Sequence, residues 1–138
     1  MHALEESWRV LKPGGSLVDI RPYLGNMRLE LLTEGQPSLA GLVDDSGLIP
    51  DHEAVEHTLA AGLERGLFEK EDERFFDYEY LWESPEGLKD YVDENWCSRR
   101  LQKSLFKRLK KMAGEVEAES RVRIRDERII ARYKKLVE

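Results

Sequence analysis

The chain is 138 residues long, 41% hydrophobic and 36% charged, with a formal net charge of −6. That length suits one globular domain with a core of its own. No apolar run is long enough for a membrane-spanning helix, and the single Cys97 excludes an internal disulfide or a cysteine-only zinc site.

The first residues lack a charged-then-apolar leader pattern, so a cytoplasmic protein is expected. The charge is unevenly spread. Residues 1–98 carry eight lysines and arginines against 22 acids, a balance of −14; residues 99–138 carry 14 against six, a balance of +8. The plain reading is two parts that attract each other within one fold. The other is a basic surface for an anionic partner.

In chain order, Leu4, Trp8 and Leu11 fall on one face of a short helix. Pro13 ends it, and Gly14 and Gly15 allow a sharp turn. Residues 16–21 (SLVDIR) follow as a short, nearly continuous apolar strand of the kind covered on both faces, closed by Pro22. Residues 23–50, with Gly25, Gly35, Pro37, Gly41, Gly47 and Pro50, read as a long irregular loop. Asp51 is placed to cap a helix carrying Val55, Leu59 and Leu63. Residues 69–83 alternate, with Phe76, Tyr78, Tyr80 and Trp82 on one side and Asp77 and Glu79 on the other, which predicts an edge or antiparallel strand.

Ser84-Pro85 starts a helix with Leu88, Tyr91, Val92 and Trp96 inside. A second helix from Ser98 to about Gly114 sets Leu101, Leu105, Leu109 and Met112 opposite seven cations, among them Arg99, Arg100, Lys103 and Lys107. The end of the chain, RVRIRDERIIARYKK, reads as either a hairpin turning at Asp126-Glu127 or a long bulged strand, the hairpin being favoured.

The stretch LEESWRVLKPGGSLVDIRP resembles a signature of the class I S-adenosylmethionine-dependent methyltransferases, whose helix ending in RVLKPGG leads into the fifth strand of a seven-stranded doubly wound sheet. Arg9 to Gly15 match it without a gap. The motif is structural: proline stops the helix and glycine makes the turn. The resemblance implies an α/β fold, a partial doubly wound sheet of three to four strands. Its final strand would be antiparallel, or a hairpin, and four helices would complete it in a single domain over residues 1–138. RFFDYEYLWES would be the sixth strand, RIIARYKK the last, and the helices of about 84–114 an insertion.

In that family the cofactor is held by a glycine-rich turn and an acidic residue that precede RVLKPGG. No G-x-G-x-x-G follows a strand here. The expectation is therefore a carboxyl-terminal, substrate-side half that lacks the cofactor-binding amino-terminal half and is inactive alone. S-adenosylmethionine would serve the parent enzyme, with no cofactor, catalytic residue or metal on this chain itself.

The family's substrate side opens after the fifth strand, which makes Asp19, Arg21 and Tyr23 candidates. Arg21 could meet an anionic group, or be salt-bridged at a strand end. Arg99, Arg100, Lys103 and Lys107 are the candidate partner contacts, for nucleic acid or for no partner beyond the acidic body. His2, His52 and His57 are too scattered for a metal set. Two further readings stay open beside the enzyme half: an interaction module that dimerises or docks a cofactor-binding partner, and a nucleic-acid binder.

Overall fold

The computed structural model describes residues 2–137. Helix α1 (His2–Val10) is followed by β1 (Ser16–Thr33), β2 (Gln36–Leu42), a 3-10 turn (Ser46–Leu48) and α2 (Ile49–Glu64). Strand β3 (Phe68–Trp82), helices α3 (Pro85–Asn95) and α4 (Lys103–Glu115), and β4 (Ser120–Lys135) complete the chain. The α/β class, the four helices and an antiparallel final strand are as expected.

The sheet has four strands in the order β2-β1-β4-β3, with neighbours antiparallel. That is not the order of a doubly wound sheet. Because β1 and β3 both run against β4, they run parallel to each other with β4 between them.

The difference has two local causes. Pro22 does not close the first strand: its fixed φ suits extended backbone, and β1 runs on to Thr33. Residues 23–50 are accordingly not one loop. They hold the rest of β1, a tight turn at Glu34-Gly35 with φ of 53° and 79°, and β2 paired back from Thr33↔Gln36 to Arg28↔Leu42. Two positive φ values in succession are what a two-residue hairpin turn of matching twist requires. The predicted hairpin at Asp126-Glu127 is absent; β4 passes straight through, with Asp126 buried and no residue there at positive φ.

The chain divides into two compact units. The first comprises Met1–Pro22, Pro50–Phe76 and Arg128–Glu138. Leu4, Phe68, Ala131 and Tyr133 are its core, with Trp8, Leu11, Leu17, Leu59 and Leu67 packed against them. Helix α2 starts at Ile49, so Asp51 lies in its first turn and not at the cap. Gly62 lets α2 approach α1, since a Cβ there would sit 2.5 Å from Leu4 Cδ2.

The second unit comprises Tyr23–Ile49 and Asp77–Glu127. Met27, Leu29, Leu31, Leu88, Leu109, Val122 and Ile124 form its core under α3 and α4. Ser84 caps α3 as predicted, its Oγ accepting from the Gly87 N–H at 3.1 Å, with Pro85 the first helical residue. Tyr80 and Trp82 pack on this core, whereas Tyr78 stays exposed. Tyr91, expected inside α3, is also exposed.

Helix α4 starts at Lys103, not Ser98, and runs past Gly114. The backbone of Arg100 is already committed, since its N–H donates to Asp44 O at 2.8 Å and its O accepts from the Asp44 N–H at 3.2 Å. A helix through Arg100 would have to break both bonds.

Candidate functional site

The segment that carries the family resemblance is a reversing turn built from its own atoms. Pro13 and Gly14, the latter with φ of 73°, occupy the central positions, and Gly15 N–H donates to Lys12 O at 2.8 Å. That is the pattern of a type II turn, where glycine supplies the positive φ. Trp8 Nε1 donates to Leu136 O at 3.3 Å. The Lys135 ammonium lies 4.1 Å from the Trp8 ring centroid and donates to Leu11 O at 2.8 Å. A cation on an indole face is favourable when partly dry, so α1 is pinned to the end of β4.

This turn does not fit an adenosyl cofactor. The Gly15 N–H is spent on Lys12, and the Gly15 O accepts from the Lys135 N–H at 2.8 Å. A Cβ on Gly15 would come within 2.9 Å of Lys12 O, so the glycine is explained by the turn itself.

Asp19 and Arg21 are brought together in the first unit. Arg21 Nε meets Asp19 Oδ2 at 2.6 Å, its Nη2 meets Glu56 Oε1 at 2.7 Å, and its Nη1 lies 3.4 Å from His52 Nδ1. Burial disfavours the Arg21 charge. The hydrogen bonds to Asp19 and Glu56 outweigh that penalty and hold its pKa above the ordinary arginine value. With two carboxylates on one guanidinium, an incoming anion would have to displace a partner, so Arg21 acts here as a salt-bridged strand residue. Sequence reasoning missed His52 and Glu56 as its partners; their i, i+4 spacing on α2 was the available signal. Tyr23 belongs to the second unit and is exposed.

The second unit carries a charge ladder that sequence reading did not single out. Glu30, with its side chain 4% exposed, accepts from Arg123 Nε at 3.2 Å and from Arg125 Nη2 at 3.3 Å. Arg123 also meets Glu79 at 3.1 Å, and Arg28 meets Asp77 at 3.2 Å. The alternation Arg123-x-Arg125 opposite Asp77-x-Glu79 was the visible trace of it, since residues two apart share a sheet face.

Of the expected basic-helix contacts, Lys103 and Lys107 lie on α4, while Arg99 and Arg100 lie in the extended segment before it. Arg99 sits over the Trp96 ring at 5.9 Å. Beside it is a groove of about 280 Å³ that includes Leu48, Tyr91, Asn95, Trp96 and Cys97. Among the described residues no cluster of three metal-ligating side chains occurs, and no helix is long and apolar enough to cross a membrane.

One stretch of sheet edge is open. Strand β2 pairs β1 only from Arg28 to Thr33, so residues 16–21 have β4 on one side and no paired strand on the other among the described residues. Val18 and Ile20 there are 52% and 53% exposed. The remaining edges are protected: β3 carries EKEDER over residues 69–74, and β2 is seven residues long and contains Pro37. Charge, brevity and proline are the usual means of blocking strand addition; residues 16–21 have one acid and one arginine, joined to each other.

Comparisons of the chain with protein-family models, with curated proteins and with solved structures gave no match.

Proposed function

We propose that this chain is the substrate-side portion of a methyl-transfer fold of the class I S-adenosylmethionine-dependent type, and that it docks a cofactor-binding partner by adding a strand to β1. One observation carries the reading: directly after the RVLKPGG turn, residues 16–21 present an unguarded, apolar strand edge. An added strand would satisfy the outward N–H and C=O groups and set its own side chains beside Val18 and Ile20. The antiparallel last strand lying between β1 and β3, and the return from the β1–β2 hairpin to β3 through α2, support the reading further. The doubly wound parent sheet belongs to this proposal. In it, β1 would hold the fifth position and the β1–β2 hairpin would be an elaboration of its far end.

The division of labour follows from the fit of the turn. Its polar groups are used internally, so the partner supplies the adenosyl site and this chain supplies the strand framework beside it. No methyl-transfer step is assigned to residues of this chain.

Isothermal titration of the purified chain with S-adenosylmethionine tests this. No binding heat is expected at concentrations that would detect micromolar affinity. Micromolar binding to the chain alone would overturn the division of roles.

A further inference from the structure

The acidic body meets the basic part of the chain, as the charge balance suggested, but only along β4: Arg121 pairs with Glu83, Arg123 with Glu30 and Glu79, Arg125 with Glu30 and Asp77, and Arg132 with Glu71. The seven cations from Arg99 to Lys111 form no ion pair with any carboxylate of the described residues. Helix α3, packed beside α4, is acidic, yet its Asp93 pairs with Lys89 of the same helix. Of these seven positive charges in 13 residues, six are exposed and Arg99 is half-buried over Trp96, in a protein whose net charge is −6.

We infer that the segment from Arg99 to Lys111, with the Tyr91–Trp96 groove that leads into it, binds single-stranded nucleic acid. The phosphates would lie along α4 and a base would sit in the groove. Lys103, Lys107, Lys110 and Lys111 follow i, i+4, i+7 and i+8, which sets them on one helix face at intervals of about one 5.4 Å turn. Such a row tracks a polyanionic backbone.

The groove distinguishes the ligand class. Exposed Tyr91 and the partly buried Trp96 are flat apolar surfaces, and Arg99 spans both features by lying on the Trp96 ring beside the phosphate row. Stacking surfaces next to a cationic track are how single strands are held without sequence readout. A lipid surface is a poorer match. The leucines of α4 that could insert, Leu105 and Leu109, are buried in the core, and a surface-lying helix needs its apolar face free.

The test is fluorescence anisotropy of the full chain with a labelled single-stranded RNA of about 12 nucleotides, at 50 and 200 mM salt. Four phosphate contacts at a slope of about −0.7 each predict a loss of about 50-fold over that range. The quadruple variant Lys103→Gln, Lys107→Gln, Lys110→Gln, Lys111→Gln should lose most of the affinity and most of the salt slope. Its circular dichroism and melting should stay as in the parent, since Gln is a good helix former.

Tyr91→Ala should weaken binding about fivefold or more. Removing an equal number of charges elsewhere, by Lys12→Gln, Arg74→Gln, Arg132→Gln and Lys134→Gln, should leave affinity within about threefold. Absence of saturable binding at 50 mM salt would overturn the inference. So would equal losses in the two quadruple variants, or tighter binding to phosphatidylserine vesicles or polyglutamate than to the RNA.

Discussion

Replacing Glu30 with alanine is expected to destabilise the protein by about 3 kcal/mol, read as a shift of the urea-unfolding midpoint at unchanged slope. Arg123 and Arg125 both meet Glu30, whose side chain is 4% exposed. Without it two guanidiniums, neighbours on one face of β4, face each other with less to offset their repulsion. Breaking a buried pair by removing one partner costs about 3–5 kcal/mol. The lower end applies here because Arg123 and Arg125 keep 14% and 28% of their side-chain surface and some water.

Two companions separate charge from packing. Glu30→Gln keeps the shape and one acceptor, so its loss should be intermediate. Glu79→Ala removes a partner that is 48% exposed and should cost under about 1 kcal/mol. Equal losses for Glu30→Ala and Glu79→Ala would show that the ladder acts only as a screened surface array.

Gly47→Ala is expected to cost about 3 kcal/mol or more. A Cβ on Gly47 would fall far inside van der Waals contact of the Ser98 carbonyl oxygen. That oxygen belongs to backbone rather than to a movable side chain, and two residues later Arg100 is held to Asp44 by both of its backbone groups. Asp44 is itself fixed, its carboxylate accepting from Ser46 Oγ at 2.6 Å and Ser46 N at 3.0 Å. The 3-10 turn therefore anchors the strand that delivers the cations to α4, and the added methyl can be accommodated only by moving that anchor. A loss below about 1 kcal/mol would show the Ser98 segment to be free to shift.

Much of the element content was legible because it depends on local chemistry. Ser84-Pro85 marks a capped start through one hydroxyl and one fixed φ, and Lys12-Pro13-Gly14-Gly15 encodes a turn that needs nothing else. The errors came where distant partners decide. Pro22 looks like a terminator from the sequence, but the chain stays extended through it and only the pairing of Arg28–Thr33 with β2 completes the strand. Glu34-Gly35 was hidden for a different reason: glutamate rarely takes a positive φ, so Thr33-Glu34-Gly35-Gln36 does not advertise a hairpin.

Asp126-Glu127 offers turn-like polarity, yet β4 lies between β1 and β3 and is kept straight by neighbours on both sides. The candidate site shows the same limit. Asp19 and Arg21 stood out as strand-end charges, but that Glu56 and His52 complete their cluster depends on how α2 lies over the strand. The sequence showed the charge imbalance between the two parts of the chain; only the structure shows that β4, and not α4, meets the acids.

The claim on which the proposed role rests is that residues 16–21 offer an open edge, and residue-resolved amide hydrogen exchange on the isolated chain tests it most directly. In an antiparallel ladder alternate amides point to opposite neighbours. Every second amide of this stretch should therefore exchange as unprotected backbone, while those between them, bonded to β4, are protected. Uniform protection along residues 16–21, equal to that of central β4, would mean the edge is already closed and leaves no place for a partner strand.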